Sequence, residues 1–265
     1  MRVKPDSVAD SSSQSGGGSP FKTTRWSLIL SSLDGNTDEK KAREALAQLC
    51  RTYWRPIFAF ICRRGYSTED AQDLTQDFFL MVLNGNLLQR ADRDRGRFRS
   101  LLLKALQNFL IDAHEKRSAQ KRGGEIHFVS WDDWMAEAPS QLSLPLDALK
   151  HWTAEKIYDV RWAATVAERA LARLAEECES RGRRRAFDAL SGQLTLDRTE
   201  VSYGALGREL GIAENAVKRL LHHLRLRFRE LLRAEVARTI ANPADVDDEL
   251  RHLCAALAAG TDFTC

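Results

Sequence analysis

The stretch SYGALGRELGIAENAVKRLLHHLRLRFRELLR, from Ser202 to Arg233, holds the side chains of this 265-residue chain best suited to reading nucleic acid. Asn215, Lys218, Arg219 and His222 fall on the first turns of a predicted helix, and Arg225 and Arg229 extend the same basic face. Asparagine pairs with an adenine edge, arginine or lysine pairs with guanine, and further cations reach phosphates, so this set suits the N-terminal part of a helix laid in a major groove. From Glu214 to Arg233 six basic residues stand against two acidic ones, a local charge of +4. Just ahead lie Gly207, Gly211 and Ile212. A helix-turn-helix needs a small residue where its helices touch, a glycine for positive φ in the turn, and apolar residues that lock the second helix down. Leu206 and Leu210 supply one apolar side, and Val217, Leu221, Leu224, Phe228 and Leu231 step along the other at helical spacing. The plainer alternative is a solvated basic face on an ordinary core helix.

Two more charged segments need a partner to explain them. In STEDAQDLTQDFFLMVL, Asp70, Asp73 and Asp77 recur three and four residues apart, with Gln76 and Glu69 at their margin and no basic residue in the run. Such a face repels itself and favours a cationic surface, unless it is simply solvated. From Arg90 to Arg122, ten basic residues oppose four acidic ones, giving +6, a footprint on the scale of phosphate binding. Arg97, Lys104, Asn108, Lys116 and Arg117 belong to this segment. Its alternative is a surface helix whose basic end complements the macrodipole. The whole-chain charge of +3 conceals both segments, because they offset one another.

No catalytic or cofactor motif competes with these. There is no P-loop, no GxSxG and no HExxH, and the six histidines form no ligand spacing, so neither an enzyme, a metal nor a cofactor is expected. Cys50, Cys62, Cys178, Cys254 and Cys265 are odd in number and form no CxxC pair, which argues against a disulfide framework and points to a reducing cytoplasm. No run of apolar residues reaches the length of a membrane span.

Ala, Leu, Arg and Glu dominate and proline is scarce, so the predicted fold is all-α, with two helical domains joined by a linker and the helix-turn-helix in the second. Residues 1–20, rich in Ser and Gly, read as a disordered tail. The first domain spans 21–122. It contains the stripe Leu46, Leu49, Tyr53, Ile57, Phe60 and Ile61 with Pro56 as a kink, a helix capped by Ser67 with Asp70 at its third position, and a helix from Phe98 to Arg117. Residues 123–157 lose the period and read as a linker with some hydrophobic anchoring. The second domain, 158–238, opens on the stripe Val160, Ala163, Ala167, Ala170, Leu174 and Cys178 and continues through Arg184 to Leu190. A C-terminal extension, 239–265, reads as a helix with Asp245 as cap and Val246, Leu250, Leu253 and Leu257 inward.

The order of acidic helix, polar loop, basic helix, linker and helix-turn-helix resembles the extracytoplasmic-function RNA polymerase sigma factors of the sigma-70 family. The likeness covers about Leu46 to Glu235. DAQDLTQDFF (70–79) is similar to the family's D-x-x-D-L-x-Q-x-x-F element, and FRSLLLKALQNFLIDAHEKR (98–117) to its F-R-x-W-L…N…D…R helix, with Leu101 where the family often has Trp. Gly211-Ile212 and Val217-Lys218 resemble the family's turn and V-K pair. The resemblance implies that Asp70, Asp73, Gln76 and Asp77 dock on core RNA polymerase. It implies that Arg97, Lys104, Asn108, Lys116 and Arg117 read and help melt the minus-10 element, with the loop 84–97 capturing a flipped base. Asn215, Lys218, Arg219, His222 and Arg225 would read the minus-35 duplex. The implied partners are core polymerase and promoter DNA, with an anti-sigma factor left open and no membrane. A helix-turn-helix repressor or activator with a helical sensor domain is the competing reading.

Overall fold

A computed structural model describes residues 39–84, 97–119, 151–240 and 242–261. The expected tail (1–20), most of the polar loop before Phe98 and most of the linker lie outside the described residues. What is described is all-helical: α1 (Glu39–Arg63), α2 (Thr68–Asn84), α3 (Phe98–Ala119), α4 (Ala154–Ser180), α5 (Arg184–Leu190), α6 (Tyr203–Leu210), α7 (Glu214–Ala237) and α8 (Val246–Thr261). None of these helices is long and apolar enough to cross a membrane.

Local chemistry sets most of the ends. α1 runs unbroken through Pro56 and stops before Gly65, whose φ of +95° suits a residue without a side chain. Ser67 Oγ accepts the Asp70 N–H at 3.1 Å, the predicted cap of α2. Thr153 Oγ1 accepts the Lys156 N–H at 3.2 Å and starts α4 at Ala154, so the expected linker boundary at 157 falls inside a helix. The expected continuation from α4 through Arg184 is interrupted at Gly182, where φ is +65°.

α4 is the central element and packs against α1, α5, α7 and α8. The predicted stripe from Val160 to Cys178 is buried throughout. Its first half is buried well beyond that stripe, because Ile157, Tyr158, Trp162, Ala164, Thr165 and Val166 are enclosed as well. Ile157, Tyr158, Trp162 and Val166 join Tyr53, Ile57, Phe60 and Ile61 of α1, Leu74 and Phe78 of α2, and Phe98, Leu102 and Leu106 of α3 in the largest core. The second half, with Ala170, Leu174 and Cys178, meets Phe187 and Leu231 in another cluster. A third cluster of Leu190, Val201, Leu206, Val217 and Leu221 holds α5, α6 and the start of α7 together.

The C-terminal extension is part of this body. Val246, Leu253 and Ala256 of α8 lie in the largest core, with Leu250 and Leu257 packed against it. Glu249, at the same inward face, is 1% exposed.

Candidate nucleic-acid interface

α6 and α7 meet across the turn Gly211–Ala213. Gly211 adopts φ +70° and ψ +30°, the left-handed conformation that closes a helix end. The Ile212 N–H donates to the Gly207 carbonyl at 2.9 Å, folding the turn back over α6. A Cβ on Gly207 would stand 2.8 Å from the Ile212 carbonyl oxygen. The neighbour is main chain rather than a side chain that can swing away, so α7 can approach α6 this closely only over a glycine. Gly207→Val is therefore expected to cost about 1–3 kcal/mol through overpacking, with Gly207→Ala costing less. Thermal unfolding of the two variants checks this; wild-type stability in Gly207→Val would remove the steric argument.

With Val217 and Leu221 anchored inward, the other side of the first turns of α7 faces solvent. Asn215, Lys218, Arg219 and His222 are all exposed there. Lys218 Nζ pairs with Glu214 at 2.6 Å and lies 5.3 Å from the Tyr203 ring centroid, which fixes its stem against α6. An open pocket of about 500 Å³ beside it is lined by Arg198, Tyr203, Lys218, Leu221, His222 and Arg225.

Arg225 does not stand outward with this group. Its guanidinium donates to the carbonyls of Gln193 at 2.8 Å and Leu196 at 2.6 Å, tying the loop after α5 to α7. Carbonyls in an irregular loop need donors, and Arg225 supplies them. The loop it holds presents Arg198, which sequence reasoning missed. Asp197 accepts the N–H and the hydroxyl of Thr199, and these bonds hold its carboxyl below the usual aspartate range. Nothing local marks Arg198 as a neighbour of Lys218 and His222, because its place depends on a loop returning to α7.

The basic segment before and within α3 is arranged differently from the expectation. Arg99 is buried and faces Asp159 of α4 and Glu249 of α8, with its guanidinium 5.1 Å from the Trp162 ring centroid. Burial opposes its charge, but the two carboxylates outweigh that effect and hold its pKa above the ordinary arginine value. Arg97, expected at minus-10 DNA, pairs through Nε with Glu249 at 2.9 Å and bridges to the backbone of Ile240. Both arginines thus serve the fold, because Glu249, shut away from water, needs cationic partners. Lys104 and Asn108 stand exposed on α3, while the side chains of Lys116 and Arg117 lie outside the described residues.

On α2, Asp73 and Asp77 are exposed and Asp70 and Gln76 half-exposed, opposite the buried Ala71, Leu74 and Phe78. The acidic face therefore points outward as its spacing requires. Among the described residues no group of three or more His, Cys, Asp or Glu side chains is placed to hold a metal ion. Comparisons with protein-family models, with curated proteins and with solved structures give no match.

Proposed function

We propose that this chain is a sigma factor of the extracytoplasmic-function type, a cytoplasmic, non-enzymatic subunit that binds core RNA polymerase and directs it to promoters. The observation that carries the reading is the tight turn over Gly207, which leaves Asn215, Lys218, Arg219 and His222 exposed on the first turns of α7. In this reading α6 and α7 are a helix-turn-helix and those four side chains address the minus-35 duplex, with Arg198 added from the neighbouring loop. The outward acidic face of α2 supports polymerase docking through Asp73 and Asp77, flanked by Asp70 and Gln76. Lys104 and Asn108 remain the described candidates for minus-10 DNA, and Arg97 is withdrawn from that role by its internal ion pair.

That withdrawal favours a second reading, a helix-turn-helix repressor or activator whose α1–α3 and α8 form a helical sensor around α4. The two readings part on polymerase. Run-off transcription with core polymerase on a promoter library is expected to depend on this protein. Asp73→Lys combined with Asp77→Lys is expected to abolish both transcripts and core binding in a pull-down. Undiminished core binding by that double variant would sink the sigma reading, and tight sequence-specific duplex binding without polymerase would establish the second.

A further inference from the structure

The first turn of α8 meets both of the basic segments that stand out in the sequence. It carries Asp247, Asp248 and Glu249. Asp247 accepts the Arg233 guanidinium near the end of α7, with Nη2 at 3.3 Å. Glu249 takes Arg97 at 2.9 Å and Arg99 at 3.1 Å around the start of α3. Asp248 turns instead to Arg251 of its own helix. Acidic residues in a first turn complement the helix macrodipole wherever they point. That effect does not select their partners, and here the partners come from the +4 stretch 214–233 and the +6 stretch 90–122.

The three arginines are not equivalent. Arg99 is shut in, 7% exposed, and its pair with Glu249 anchors α8 to the body. Arg97 at 33% and Arg233 at 52% reach solvent, within the approach of a phosphate. Arg233 lies eighteen residues beyond Asn215, about five full turns, so it continues the outward face of α7 on which Asn215 stands. Arg97 precedes Lys104 by seven residues, about two turns of α3. The bond from Arg233 holds the Asp247 carboxyl below the usual aspartate range, so its negative charge is present throughout neutral pH. An ion pair as exposed as this one contributes little to folding. Its effect falls on whatever approaches the cation. A seated carboxylate must be displaced before a phosphate gains the contact, and the counterion release that drives nucleic-acid binding shrinks with each cation so occupied.

We propose that the first turn of α8 is a built-in competitor for nucleic-acid phosphates, with Asp247 seated on Arg233 and Glu249 on Arg97, each lowering the affinity of the helix it touches. Because both carboxylates belong to one turn, its displacement frees the two helices together. The proposal rests on the reading of α7 and α3 as DNA-binding, whether in a sigma factor or in a repressor or activator.

The test uses the full chain and fluorescence anisotropy with two labelled probes, a mixed-sequence DNA duplex and a single-stranded DNA of the same length. Asp247→Asn, at an exposed position, is expected to tighten duplex binding about fivefold and to steepen the slope of log affinity against log salt by about one. Adding Arg233→Gln should remove that gain, whereas Arg233→Gln alone should change little, its cation being already occupied. Glu176→Gln makes the same change of charge on the exposed surface of α4 and should alter affinity by less than about twofold. Glu249→Gln, whose amide can still accept from Arg99, is expected to tighten single-strand binding about fivefold, a gain that Arg97→Gln removes. Circular dichroism and melting temperature show whether Glu249→Gln is folded, and if it is not, Asp247→Asn decides alone. The proposal is overturned if Asp247→Asn leaves affinity and slope unchanged, if its gain persists without Arg233, or if Glu176→Gln gives an equal gain. When the wild type binds DNA and those outcomes follow, the reading of α7 stands and only the competitor falls. When neither the wild type nor any variant binds DNA at low salt, both fall.

Discussion

Glu249→Ala is expected to lower folding stability by about 3–5 kcal/mol, the usual cost of removing one partner from a buried ion pair. Glu249 is 1% exposed and Arg99 7% exposed, and they meet at 3.1 Å between α8 and α3, which are 150 positions apart in sequence. Without the carboxylate, Arg99 keeps Asp159 but loses half of its counter-charge in a place water does not reach. Arg97 loses its partner as well, though at 33% exposure it can turn to solvent. Urea denaturation measures the loss. The informative companion is Arg99→Met with Glu249→Leu, expected to be less destabilised than the sum of its singles, because neither charge is left behind. A cost of Glu249→Ala below about 1 kcal/mol would place that carboxylate in the range of surface pairs and contradict the buried geometry.

Trp162→Ala should be of similar size, about 3–5 kcal/mol, by the rule for emptying a core of a large aromatic. Trp162 is 0% exposed, in the half of α4 enclosed by α1, α3 and α8, with the Arg99 guanidinium over its ring and the His252 ring tilted beside it at 6.2 Å between centroids. The way the protein unfolds is as telling as the amount. α4 contributes Trp162 to the largest core and Leu174 to the cluster beside α7, so loss of the first should pull down the second. Helical content and the hydrogen-exchange protection of the α6 and α7 amides are expected to fall in one shared transition at lower urea. Two separated transitions would mean that the halves of α4 belong to independently folding units.

The outcome divides along what is local in a chain. The cap at Ser67, the glycines of the Gly207–Gly211 turn, the inward stripes of α4 and α8 and the outward acidic face were legible, because each depends on neighbours a few residues away. The wide burial of the first half of α4 was not, since Trp162 and Tyr158 lie off the predicted stripe until α1, α3 and α8 close around them. The arginines show the limit most directly. By type and charge Arg97, Arg99, Arg219 and Arg225 are alike, and nothing in sequence says that one meets a carboxylate 150 positions on, another a loop carbonyl and a third open solvent. Arg198 was missed for the converse reason, as it reaches Lys218 and His222 through a loop with no period to betray it.

The single helix from Ala154 to Ser180 joins two clusters of side chains without a joint. Each residue added within it would advance one end by about 1.5 Å and turn it by about 100° relative to the other. A lone insertion would thus swing Leu174 and Cys178 away from Leu231 of α7, whose Val236 is anchored in the same core as Trp162. Insertions of seven or eleven residues come nearly back into phase. The middle of this chain is therefore held to a count as well as to a composition: it behaves as a keyed shaft, whose length is quantised by the pitch of its own backbone.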